Sequence, residues 1–264
     1  MSDTLPQLPV IFTDVPARSP VVPGPPSVPE RPTVALTIDG VAVTAPEGAT
    51  ILEACRAQGG DLPTLCYSET LDPAAVCRMC VVETGGRTLT PACFAKVADG
   101  MEVRTDTERV RTSRKLLLEL LASSVDVDLA GPALPDRRIH DWMEEYGADP
   151  GRFGPPAPPA EAGERDRRHA GHHGAPATGT AETVHQPTKV DNELYVRDYA
   201  KCILCAKCTD ACGVGAQNTF AIAIAGRGFD ARISTEGNVA LPDSACVYCG
   251  NCIQVCPTGA LMFK

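Results

Sequence analysis

The sequence predicts an α+β chain built from two small cysteine-bearing units, and three observations lead there. Residues 33–46 alternate apolar and polar side chains about the dipeptide Asp39–Gly40, and a helical pattern follows at once. Eight of the 13 cysteines fall in two repeats of C-x2-C-x2-C-x3-C, at 202–212 and 246–256. Composition separates these features: residues 1–32 form a proline-rich arm, and 125–190 hold a helical pattern and then a Pro/Gly/His-rich linker. The predicted order is therefore arm (1–32), first unit (33–124), helix and linker (125–190) and second unit (191–264).

In the first unit the hairpin "TVALTIDGVAVTAPEG" runs into "ATILEACRAQGG". Thr50 is placed to cap that helix and Glu53 stands at the capping-box position. Ile51, Leu52 and Cys55 share one face before a glycine stop. Strand-like pieces follow at "MCVVET" and "GMEVRT", and "TERVRTSRKLLLELLAS" has the period of a helix of about 15 residues. These pieces make a small mixed sheet with one packed helix. Cys66, Cys77, Cys80 and Cys93 are spaced C-x10-C-x2-C-x12-C, so "CRMC" can grip one metal centre while the flanking thiolates close around it. Four thiolates suit either tetrahedral zinc or the two irons of a [2Fe–2S] cluster, and spacing alone leaves both open. Cys55 lies outside this set and reads as a buried structural thiol.

The second unit is more specific. C-x2-C-x2-C-x3-C written twice, once with a proline after it, is the signature of a pair of [4Fe–4S] clusters. Three cysteines on one tight loop serve three corners of a cubane. The fourth, at the start of the following helix, points to the other loop. The expected ligand sets are crossed: Cys202, Cys205 and Cys208 with Cys256, and Cys246, Cys249 and Cys252 with Cys212. Gly213 replaces the usual proline without removing a ligand. The 33 residues between Cys212 and Cys246 include "TFAIAIAGRGFDARIS", whose alternation predicts an added hairpin covering one cluster.

The whole chain bounds the setting. No signal peptide opens the sequence and no apolar run is long enough to cross a bilayer, so a reducing cytoplasm is expected, with cysteines as metal ligands rather than disulfides. The net charge of −9 argues against a nucleic-acid partner.

The segments "DLPTLCY", "CRMCVVE" and "TPAC" together resemble the N-terminal [2Fe–2S] domain shared by the complex I large peripheral subunit, the diaphorase subunits of NAD-reducing hydrogenases and NAD-dependent formate dehydrogenases. The resemblance implies a β-grasp fold with Cys66, Cys77, Cys80 and Cys93 on a [2Fe–2S] cluster. The stretch "YAKCILCAKCTDACGVGAQNTFAIAIAGRGFD" is similar to the α subunit of NAD-dependent, molybdenum- or tungsten-containing formate dehydrogenases. The fold class expected is thus a β-grasp [2Fe–2S] ferredoxin-like domain, a linker, and a two-[4Fe–4S] bacterial ferredoxin-like domain.

Two departures limit what the resemblance implies. Many relatives carry His-x3-Cys-x2-Cys-x5-Cys after the long helix, whereas no cysteine occurs here between Cys93 and Cys202. That further cluster is expected to be missing. The sequence ends at "GALMFK", where a fused formate dehydrogenase continues into its molybdopterin domain, and it carries no Rossmann, flavin or nicotinamide signature. No catalytic site is expected on this chain. The histidines of "RRHAGHHG" (His169, His172, His173), with His140 and His185, read as solvated, and Trp142 and Tyr146 as docking residues of the short helix. The role expected is an electron-transfer subunit between a molybdopterin catalytic subunit and a flavin/NAD-binding diaphorase subunit. The alternatives are the diaphorase small subunit of an NAD-reducing hydrogenase, a free-standing ferredoxin-like carrier, and a structural zinc protein.

Overall fold

The structure, a computed structural model, describes residues 31–125, 138–153, 188–228 and 231–264. The arm expected over 1–32 lies almost wholly outside the described residues, as do His169, His172, His173 and His185 of the linker. Pro32–Lys264 groups as one unit, so both cysteine-bearing regions belong to a single compact body.

That body begins with strands β1 (Thr33–Ile38) and β2 (Val41–Pro46), paired antiparallel from Thr33↔Pro46 to Ile38↔Val41. Asp39 and Gly40 both have positive φ (47° and 81°), the backbone a two-residue hairpin needs. The Asp39 carboxylate accepts from the amide and hydroxyl of Thr105 at 2.7 and 2.6 Å, tying the turn to the chain beyond the third strand. Helix α1 (Ile51–Ala57) starts with a complete capping box. Thr50 Oγ1 accepts from the Glu53 amide at 3.1 Å, and Glu53 Oε2 accepts from the Thr50 amide at 2.6 Å. Ile51, Leu52, Ala54 and Cys55 are buried, and burial pushes the Cys55 thiol up to about 11, as befits a packed, protonated side chain.

Three short strands follow: β3 (Val81–Val82), β4 (Thr90–Pro91) and β5 (Glu102–Val103). β5 pairs parallel with β1, making a three-stranded mixed sheet in the order β2-β1-β5, while β3 and β4 form a separate antiparallel pair. The strand-like sequence pieces thus shrink to two residues each, extended only by an isolated bridge between Glu83 and Arg104. Helix α2 (Glu108–Ser124) is capped by Thr107, whose hydroxyl accepts from the Val110 amide at 3.2 Å. Val110, Arg114, Leu118 and Ala122, one every fourth residue, turn its buried stripe inward. Helix α3 (Arg138–Glu145) packs there through Ile139, Trp142 and Met143, which join Leu65, Met79, Leu118 and Ala122 in one cluster.

The second region opens with β6 (Tyr195–Arg197), paired antiparallel with the last strand, β9 (Leu261–Phe263). Between them lie helix α4 (Lys207–Cys212), the hairpin β7 (Ala223–Ala225) and β8 (Arg232–Ser234), and helix α5 (Asn251–Gln254). The hairpin is the insertion expected from the alternating pattern. Gly213 explains the missing proline: a Cβ there would meet the Phe220 ring and the Thr209 carbonyl oxygen, each at 3.0 Å. Phe220, at the start of the insertion, folds back over that backbone.

Candidate metal centres

In the first region Cys66, Cys77, Cys80 and Cys93 come together although 26 residues lie between the outer two in sequence. The Cys77 and Cys93 thiols hydrogen-bond to Cys66, holding it far below the ordinary thiol range, and Cys93 similarly lowers Cys80 to about 7. Cys77 and Cys93 are pushed up, first by their bonds to Cys66, for Cys93 also by its bond to Cys80, and then by burial. Four thiols linked pairwise, Cys77 to Cys66, Cys66 to Cys93 and Cys93 to Cys80, with Cys66, Cys80 and Cys93 buried, make a donor set suited to a thiolate-bound centre. The loop is held open by two non-glycine residues at positive φ, Ala75 (54°) and Arg78 (59°).

Support for this loop comes from Arg114, which the sequence reading missed. It is 2% exposed and donates from Nε to the Met79 carbonyl and from Nη2 to the Val81 carbonyl, both at 3.1 Å. Its Nη1 donates to the Tyr146 hydroxyl at 3.0 Å. The guanidinium therefore ties both sides of Cys80 to α2 and to Tyr146, the residue just past α3. Its only sequence signal is its place in the buried i, i+4 stripe.

The two cysteine repeats fold alike. In the first, Leu204 (φ 52°) and Ala206 (φ 65°) flank Cys205; in the second, Tyr248 (φ 56°) and Gly250 (φ 77°) flank Cys249. Left-handed residues at the same two positions curl each loop inward. The Leu204 amide then donates to Cys202 Sγ and the Tyr248 amide to Cys246 Sγ, both at 3.4 Å. Ala206 and Gly250 are also the N-caps of α4 and α5. The helices therefore begin before the third cysteine, and the fourth cysteine closes or follows the helix instead of starting it as expected. Cys212 is the last residue of α4, and Cys256 lies just past α5.

Helices α4 and α5 lie side by side, and this placement exchanges the fourth cysteines. One cavity is walled by Cys202, Cys205, Cys208 and Cys256, with Tyr199, Ile203, Ile233 and Leu261. The other is walled by Cys212, Cys246, Cys249 and Cys252, with Arg197, Ala221, Ile222 and Leu241. The hairpin insertion contributes to both walls, through Ala221 and Ile222 before β7 and Ile233 on β8. Among the described residues, no three His, Cys, Asp or Glu side chains meet tightly enough for one shared metal ion; the thiols stand spread around the cavity walls.

Burial dominates the electrostatics. It pushes Cys205 up to about 11, Cys202 and Cys252 to about 12, and raises Cys208 and Cys246 as well. A thiolate in such apolar surroundings needs a cation bonded to it, which an iron–sulfur centre supplies. Backbone amides complete the setting, including Ala221 N–H to Cys212 Sγ at 3.2 Å. The fit to cluster ligation is therefore good at all three sites. The sites also adjoin: Cys66 acts electrostatically on Cys205, and Cys252 on Cys208.

Comparison with known proteins agrees with this chemistry. Residues 31–108 match the 2Fe-2S iron-sulfur cluster binding domain family, and residues 195–260 match the 4Fe-4S dicluster domain family. The chain is 35% identical over 233 residues to the NADP-reducing hydrogenase subunit HndD of Solidesulfovibrio fructosivorans, covering 86% of this chain and 35% of that protein. It is 31% identical over 236 residues to the NADH-ubiquinone oxidoreductase 75 kDa subunit of Reclinomonas americana, covering 86% of this chain and 29% of the relative. The chain thus spans about a third of the length of each of these two relatives. A crystal structure of an NAD+-reducing [NiFe]-hydrogenase in the H2-reduced state contains a chain that superposes with a TM-score of 0.69 at 26% identity. That match covers 88% of this chain and 87% of the other. The chain carries one [2Fe–2S] domain followed by a two-[4Fe–4S] domain. No described helix is long and apolar enough to cross a membrane.

Proposed function

We propose that this chain is the electron-transfer iron–sulfur subunit of a cytoplasmic, multi-subunit, NAD(P)-linked oxidoreductase. Its first region, 33–124, would be a β-grasp domain holding [2Fe–2S] through Cys66, Cys77, Cys80 and Cys93. Its second, 191–264, would hold two [4Fe–4S] centres through the crossed sets Cys202, Cys205, Cys208, Cys256 and Cys246, Cys249, Cys252, Cys212. One observation carries the reading: each cavity of the second region is walled by three cysteines of one loop and the fourth of the other.

Iron–sulfur centres take up and release single electrons. The residues of this chain bury the thiols, point amide N–H groups at sulfur and keep the three sites adjacent. The partners proposed are a flavin/NAD-binding diaphorase subunit and, from the resemblance of "YAKCILCAKCTDACG" and the residues after it, a molybdopterin subunit of a formate dehydrogenase. A second reading, a diaphorase small subunit of an NAD-reducing hydrogenase, is favoured by the superposition that covers nearly the whole of both chains.

Anaerobic purification of the tagged chain from its native cells tests this. Companions bearing flavin together with molybdenum or tungsten are the expected result. Flavin with nickel would establish the hydrogenase reading. A chain that elutes alone at native concentration would contradict the fixed-subunit role.

A further inference from the structure

Arg197 lies on β6 with only 2% of its side chain exposed. Its Nη2 is ion-paired with Asp191, but Nε and Nη1 are buried without a hydrogen-bond partner. A guanidinium does not lose its proton in a protein, so the fold keeps a permanent cation inside with two donors to spare. Interior charges of this kind are costly and call for an interaction that repays them. The counter-ion offers only a share of it. Asp191 is 22% exposed and also accepts from the Leu241 amide at 3.2 Å and the Asn192 side-chain amide at 3.1 Å, so solvent and these donors share its charge.

The guanidinium's other neighbours are the Tyr199 side chain, on which its charge acts, and the cavity walled by Cys212, Cys246, Cys249 and Cys252, which Arg197 lines. Its positive charge acts on Cys246 in that wall. The sister cavity is lined by Tyr199 from the same segment and not by Arg197. The two sites are built to the same loop plan: the sister site has the half-buried Lys207, whose charge acts on Cys205, where this one has the buried Arg197.

We propose that Arg197 holds a fixed positive charge against the Cys212–Cys246–Cys249–Cys252 site and raises the reduction potential of the centre held there. Reduction adds one negative charge to such a centre, and a nearby cation favours the reduced state. The exposed ligand Cys249 places this centre near the surface.

This inference rests on the crossed ligand sets proposed above. The test is a redox titration of the native complex followed by electron paramagnetic resonance, with the centre identified as the one that Cys249→Ser perturbs. Arg197→Gln is expected to leave iron and sulfide content intact. It should lower the reduced-to-oxidised ratio at the original midpoint about tenfold, a shift of about 59 mV for one electron. Arg197→Lys should restore most of the shift. Asp191→Asn, which removes the counter-charge, should move the midpoint upward. An unchanged midpoint in a fully loaded Arg197→Gln protein, or a downward shift in Asp191→Asn, would overturn the proposal. If Arg197→Gln loses iron, the sign of the Asp191→Asn shift decides. Should Cys249→Ser damage the Cys202 centre, the ligand assignment fails instead.

Discussion

Cys256 follows Cys252 by four residues, yet it lines the cavity of the other repeat. Replacing it with serine is therefore expected to damage the centre held by Cys202, Cys205 and Cys208 while the Cys246 loop keeps its own. Electron paramagnetic resonance of the reduced variant checks this, and a loss confined to the Cys246 centre would reverse the assignment. The grouping of the cysteines around the two cavities was legible in the sequence because each set of three is spaced along one short loop. Arg114 and Arg197 were not. Arg114 reaches back 35 residues to Met79, and Arg197, though paired with Asp191 only six residues before it, owes its burial to tertiary packing, so nothing local distinguishes either from a surface arginine. Leu204, Ala206 and Tyr248 at positive φ were equally hidden. Strained backbone at ordinary residues leaves no mark in composition, whereas Gly250, at the matching position of the second loop, does.

Among the elements, α1 and α2 follow their local chemistry closely, through the Thr50–Glu53 box in one and Thr107 with an i, i+4 stripe in the other. The strands do so less. β3, β4 and β5 are two residues long, held by tertiary contacts that no periodicity reveals. The clearest such contact is the clamp from α2 onto the strand beside Cys80. Truncation by Arg114→Ala would leave the Met79 and Val81 carbonyls buried without a donor, at about 1–3 kcal/mol each. The expected outcome is a lower Tm and loss of the [2Fe–2S] signal with both [4Fe–4S] signals retained. Equal loss at all three centres would mean that Arg114 supports the whole fold and not this loop.

At the scale of the molecule, the sequence reads as two units on either side of a linker, whereas the described residues form one body. Lys207, between Cys205 and Cys208, donates from Nζ to the carbonyl oxygen of Tyr67, next to Cys66, at 3.3 Å. Ile203 packs against the cluster of α2 and α3, and the backbone at Gly215 runs so close to Leu71 that an added Cβ would stand 2.9 Å from its Cδ2. These contacts hold the three thiol sites in a fixed row, which a relay of single electrons requires and which independent domains on a loose linker would not maintain. Metal and acid-labile sulfide analysis of the anaerobically purified chain tests that account most directly. The account predicts about ten iron atoms and ten sulfides per chain, the content of one [2Fe–2S] and two [4Fe–4S] centres. Zinc bound to the thiols with no acid-labile sulfide would contradict it.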